Sequence, residues 1–196
     1  MPVSTFTPDY TYWGYIEKDV NTTLGTTNYT AYPAAAAVVA GYVYTSEFDG
    51  NHVKEYRAYY PFDTSSLPSD LYIEQIRWYV EVWFNIQDGT GPLDWKNGWM
   101  ISGGGDISHP LVAADWHFGS ICATKDWPDP PDSPVDGWVT MQSNEDLINP
   151  DGWTDFEIRD WSTKDGTNDY RTFWSKRDGI LEVTWAPKRS YVIMGV

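Results

Sequence analysis

The chain is 196 residues long and sets 28 acidic residues against 13 basic ones, a formal net charge of −15. Hydrophobic residues make up 41% and aromatic ones 17%, which supports a sizeable core and excludes a chain kept disordered by low hydrophobicity. The charge argues against nucleic acid, whose phosphates need clustered Lys and Arg to displace their counterions. No run approaches the ~20 apolar residues of a membrane span.

Taken in chain order, Met1 to Asp9 lacks the basic and apolar regions of a signal peptide, and residues 1–11 are expected as an extended arm on a single domain spanning 1–196. Period-two runs bounded by Gly, Pro, Asn or Asp then predict short strands at Tyr12–Lys18, Ala37–Ser46, Val53–Phe62, Ile73–Ile86, Gly98–Ile101, Gly137–Gln142, Tyr170–Ser175, Ile180–Trp185 and Tyr191–Met194. Such a series defines an all-β chain, expected as an antiparallel β-sandwich of jelly-roll type with long Trp- and Pro-rich loops. The clearest run is Ile76, Trp78, Val80, Val82, Phe84, with Arg77, Tyr79, Glu81 and Trp83 on the alternate face. The three-residue step from Ile73 to Ile76 breaks the alternation as a bulge does.

Residues 87–137 read as a long loop insertion, rich in Gly and Pro and anchored by Trp95, Trp99, Trp116, Trp127 and, just beyond, Trp138. Within it, Ser120 to Ala123 reads as a buried strand. It carries Cys122, the single cysteine, expected as a structural thiol. With one cysteine no intrachain disulfide exists, and the fold stands on packing alone.

Tyr56-Arg-Ala-Tyr-Tyr-Pro-Phe62-Asp63-Thr-Ser65-Ser66-Leu67-Pro68, followed by the alternating strand from Ile73, resembles the opening of DNRLRE-type domains. There an Arg-containing strand ends in Phe-Asp, and Ser-Ser-Leu-Pro leads into a long core strand. Trp153 to Trp161 and Phe173 to Trp185 resemble that family's later segments, and Asn21 to Tyr29 is similar to its Asn and Gly loop. The pattern departs at Arg177, where the family usually has an acidic residue. The resemblance implies a carbohydrate-binding-module-like jelly roll of surface and virion-associated proteins.

The residues that could carry chemistry are few. His52, His109 and His117 stand at no metal-ligand spacing, and neither a nucleophile elbow nor a phosphate loop is present. Ser102-Gly-Gly-Gly-Asp106 lacks the Lys of a phosphate cradle and reads as a flexible turn. No carboxylate pair stands out as a glycosidase pair, and the chain is expected not to be an enzyme. Asp126, Asp129, Asp132 and Asp136 offer hard oxygens that could brace a loop through calcium, although prolines among them fit a rigid exposed loop as well. Trp83, Trp95, Trp99, Trp116, Trp127 and Trp138 are the candidate contact residues, because an indole face stacks on a sugar ring or fills an interface.

The expected function is that of a virion structural protein, a capsid decoration, spike or head-fibre subunit that acts by homo-oligomerisation or capsid-protein binding. The chain starts at Met1 without an export signal or disulfide, and its 12 Trp and 14 Tyr exceed what one core usually absorbs. The alternative is a carbohydrate-binding module of a secreted protein, with a surface glycan as ligand.

Overall fold

The computed structural model describes residues 1–34, 38–47, 50–85, 98–117, 119–126, 135–141, 145–160, 171–175 and 179–188. At 38–47, 50–51, 81–85, 98–99, 117, 125–126, 135–136, 145, 160 and 171–175 it describes the backbone alone. The strands are β1 (Val3–Phe6), β2 (Gly14–Asn21), β3 (Thr26–Pro33), β4 (Val38–Glu47), β5 (Gly50–Asp63), β6 (Leu71–Asn85), β7 (Gly98–Gly103), β8 (Ser120–Asp126), β9 (Val135–Thr140), β10 (Trp153–Asp160), β11 (Arg171–Ser175) and β12 (Ile180–Pro187). Short 3-10 turns sit at Ala113–His117 and Glu145–Leu147. No helix among the described residues is long and apolar enough to cross a membrane.

Every ladder is antiparallel, and two sheets pack face to face as a β-sandwich. The first runs β3-β2-β5-β10-β7-β8 and the second β1-β12-β6-β9. The first half of β5 pairs with β4, β4 with β11, and β11 with the last residues of β6, so the backbone ladder continues from one sheet to the other. The alternation of β6 explains the core. Ile76, Trp78 and Val80 are buried, and Trp78 meets Tyr60 of β5 at 4.8 Å and Phe62 and Phe156 at 5.8 Å across the sandwich. The break before Ile76 is a bulge: the ladder to β12 passes from Gln75 opposite Thr184 to Ile73 opposite Trp185 and skips Glu74. Ile73 therefore returns to the core side.

The fold departs from expectation in three places. The stretch 87–137 is not one loop: the strands expected at Gly98–Ile101 and Ser120–Ala123 are β7 and β8, and the unexpected parts are the Ala113–His117 turn and the start of β9 at Val135. Strand β3 has no apolar alternation and is exposed along nearly its whole length, so its structure rests on the ladder to β2. The arm contains β1, which pairs with β12. Tyr191–Met194 lies outside the described residues.

Chain segment 104–117 leaves β7 and folds back over the outer face of β10, β5 and β2. There Ile107, Leu111 and Trp116 form a second apolar cluster with Ile16 and Tyr59. The return is tight. A Cβ on Gly103 would stand 2.7 Å from the Phe156 ring, and one on Gly119, whose φ is +57°, would stand 2.6 Å from the Gly103 carbonyl oxygen. Gly103, expected as part of a flexible turn, thus ends β7 and together with Gly119 seats the base of a packed segment.

Candidate functional site

The exposed face of the second sheet presents a row across three strands, Trp138 of β9 opposite Tyr79 of β6, which lies opposite Ile180 of β12. Trp138 and Ile180 are each 37% exposed, and with Tyr79 between them they form one contiguous row, whereas apolar side chains scattered singly on a surface need no explanation. The next row is Thr140, Arg77, Glu182 and Thr5. Arg77 places its guanidinium 4.7 Å from the centre of the Trp138 ring and is ion-paired with Glu182. Tyr79 packs edge-on against Trp138 at 5.4 Å. Two contacts therefore hold the indole in place while much of its surface stays open. Beside it is a cleft of about 280 Å³ lined by Thr5, Phe6, Thr7, Trp138, Ile180 and Glu182. The surface joins an open ring to charged and hydroxyl groups, the chemistry that grips a polyhydroxylated ring.

Of the candidate tryptophans, Trp138 alone is an exposed one among the described side chains. Trp116 is buried, with Arg57 stacked 4.0 Å from its ring centre and Tyr29 at 5.5 Å. It anchors segment 104–117. Trp83 stands opposite Trp174 in the β6–β11 ladder and Trp99 opposite Lys125 and Asp160. Trp95 and Trp127 lie outside the described residues, as do Asp129 and Asp132, whereas Asp126 and Asp136 fall on different strands, β8 and β9. Among the described residues no group of three or more His, Cys, Asp or Glu side chains could hold a metal ion. Cys122 is buried and donates to the Ile101 carbonyl oxygen at 3.3 Å. Burial pushes its thiol up to about 11, which keeps it protonated at neutral pH.

A polar row missed in the sequence lies beneath segment 104–117. Asp155 accepts from the His109 ring at 3.1 Å and from the Ile107 amide at 3.3 Å. Its carboxyl is raised, chiefly by burial and against the pull of His109. Tyr59 donates to the Asp115 carbonyl and Arg57 to that of Trp116 at 2.7 Å. Below them Glu157 is fully buried, 3.6 Å from Arg57 and 3.5 Å from Arg159. These contacts pin the segment down and leave no open space over Glu157, so they read as structural ties.

Burial pushes Glu157 up from 4.5 to about 6, although Arg57 and Arg159 pull it down. A raised carboxyl binds its proton more tightly in the folded chain, so its contribution to stability is complete below about pH 4.5 and is lost as pH rises through about 6. Urea unfolding at pH 4.5 and pH 7 is expected to show wild type losing about 2 kcal/mol more over that interval than Glu157→Gln. Equal pH slopes in the two proteins would contradict the assignment.

No protein-family model matches the chain, and a search of the curated proteins finds no match.

Proposed function

We propose that the chain is a non-enzymatic binding protein, a jelly roll of the DNRLRE kind whose outer sheet face takes a saccharide on the Trp138, Tyr79 and Ile180 row. The observation that carries this reading is the exposed Trp138, held by Arg77 and Tyr79 beside an open cleft. A pyranose would stack on the free indole surface, and Arg77, Glu182, Thr5 and Thr7 would meet its hydroxyls. A glycan array and a panel of soluble polysaccharides test it. The expected result is binding that Trp138→Ala weakens by about 1–2 kcal/mol, roughly a 5- to 30-fold rise in Kd, at nearly unchanged Tm. A blank array for the wild type, or equal binding by Trp138→Ala, would remove the saccharide.

A second reading, a capsid decoration, spike or head-fibre subunit of a virion, is favoured by β3, which among the described strands pairs on one side alone. It predicts self-association. The aromatic excess supports it less than the composition alone does, since Trp13, Trp78, Trp116, Tyr59 and Tyr60 are all buried within the one chain.

A further inference from the structure

An open strand edge is a row of unpaired amides and carbonyls that adds another strand unless something blocks it, and native chains block such edges by shortness, charge or proline. Among the described strands, β1, β3, β8 and β9 each pair on one side alone. Three of these edges are blunted. β1 has four residues, β8 ends in Lys125 and Asp126, and β9 carries Asp136.

Strand β3 is different. It has eight residues, Thr-Thr-Asn-Tyr-Thr-Ala-Tyr-Pro, with no charged side chain and only a terminal proline. Every residue but Ala31 is exposed. The charges of this hairpin sit one strand further in and are matched there: Glu17 and Asp19 with Lys54 at 3.4 and 4.0 Å, and Lys18 with Glu55 at 3.8 Å, while the His52 ring is hydrogen-bonded with Asp19 at 2.7 Å. A chain of net charge −15 thus keeps a long neutral edge beside a locally balanced one.

We propose that β3 is a self-assembly edge, pairing antiparallel with β3 of a second copy about a two-fold axis so that the first sheet continues across both molecules. The inference rests on the assembly reading and gives it a surface. Charge decides the occupant. Two copies of so acidic a chain repel each other, and contact costs least where neither brings net charge. In a two-fold antiparallel pair, residues at the axis meet their own copies, so a charge near the middle of the strand would face itself. The centre of β3 is Tyr29 and Thr30, and β-branched and aromatic residues make favourable cross-strand pairs. Tyr29 and Tyr32 lie on opposite faces of the strand, the first near Trp116 and the second stacked on Tyr15 at 4.5 Å. Each is 37% exposed, which leaves aromatic surface on both sides of the seam for a second copy to cover.

Sedimentation equilibrium on the full chain tests the proposal, comparing wild type with Thr30→Lys, Thr30→Glu and, as control on the charged β8 edge, Thr124→Lys. The wild type and Thr124→Lys are expected to dimerise. Both Thr30 variants are expected to dissociate, with at least about a tenfold rise in the dimer Kd, about 1.4 kcal/mol, and unchanged near-UV circular dichroism. Hydrogen exchange on the wild type gives a measure independent of any variant: the β3 amides should gain protection as concentration rises. A dimer that both Thr30 variants retain, with no such protection, would overturn the β3 edge and leave the assembly reading standing. A strictly monomeric wild type would overturn both.

Discussion

Arg57→Met is expected to destabilise the protein by about 3–5 kcal/mol at pH 7, the range found when one partner of a buried ion pair is removed. Arg57 is the hub of the face beneath segment 104–117. Its guanidinium neutralises Glu157 at 3.6 Å, lies 4.0 Å from the Trp116 ring centre and donates to the Trp116 carbonyl at 2.7 Å. Methionine preserves much of the apolar stem but leaves the fully buried Glu157 with Arg159 as its remaining cation. The loss should depend on pH. Without Arg57 the Glu157 carboxyl, already up at about 6, rises further and takes a proton in mildly acidic solution, so the defect should shrink at pH 5. The double variant Arg57→Met/Glu157→Gln should recover much of the stability lost at pH 7. Urea denaturation of the single and double variants at both pH values measures this. A loss under about 1 kcal/mol at pH 7 would place Arg57 among ordinary surface charges.

The cover over β10 also explains why part of the molecule could not be read from the chain. The β6 alternation exposed the core because it is local: Ile76, Trp78 and Val80 alternate within one strand, and even the bulge beside Ile73 left its mark as a broken period. In Trp153 to Asp160 the same alternation puts Phe156 and Ile158 inside, but Asp155 and Glu157 then look like solvent-facing residues. Their burial comes from segment 104–117, about fifty positions earlier in the chain, and no local pattern encodes that contact. Trp116 and Trp138 show the same limit. Trp116 stands in loop-like sequence and Trp138 at the start of the strand read from Gly137, yet one lies under Arg57 and the other stands open beside Arg77. The distinction depends on which strand each reaches. The Trp138 surface was half legible, since Arg77 and Tyr79 share the outward period of β6. Ile180 and Glu182 join them only through the β12 register, and Thr5 through that of β1. Strand β3 was missed because an edge exposed on both faces has no apolar period to detect.

Trp78→Ala is expected to cost about 3–5 kcal/mol, the usual range for deleting a large aromatic from a core. Trp78 lies at the point where the two sheets face each other, fully buried and packed against Tyr60 and Phe62 of β5 and Phe156 of β10. An alanine there would remove the ring that all three contact, and strands held by ladders on both sides of β6 have little freedom to close the space. The indole also carries a liability: its Nε1–H is buried with no hydrogen-bond partner among the described residues. Trp78→Phe deletes that unpaired donor along with part of the ring, so relief of the polar penalty offsets some of the lost packing. Its cost should therefore fall well below that of Trp78→Ala, by about 2 kcal/mol or more. Parallel denaturation curves of the two variants test the pair of effects together. If phenylalanine proves as damaging as alanine, the Nε1–H has a partner, such as a buried water, whose loss adds to the cavity.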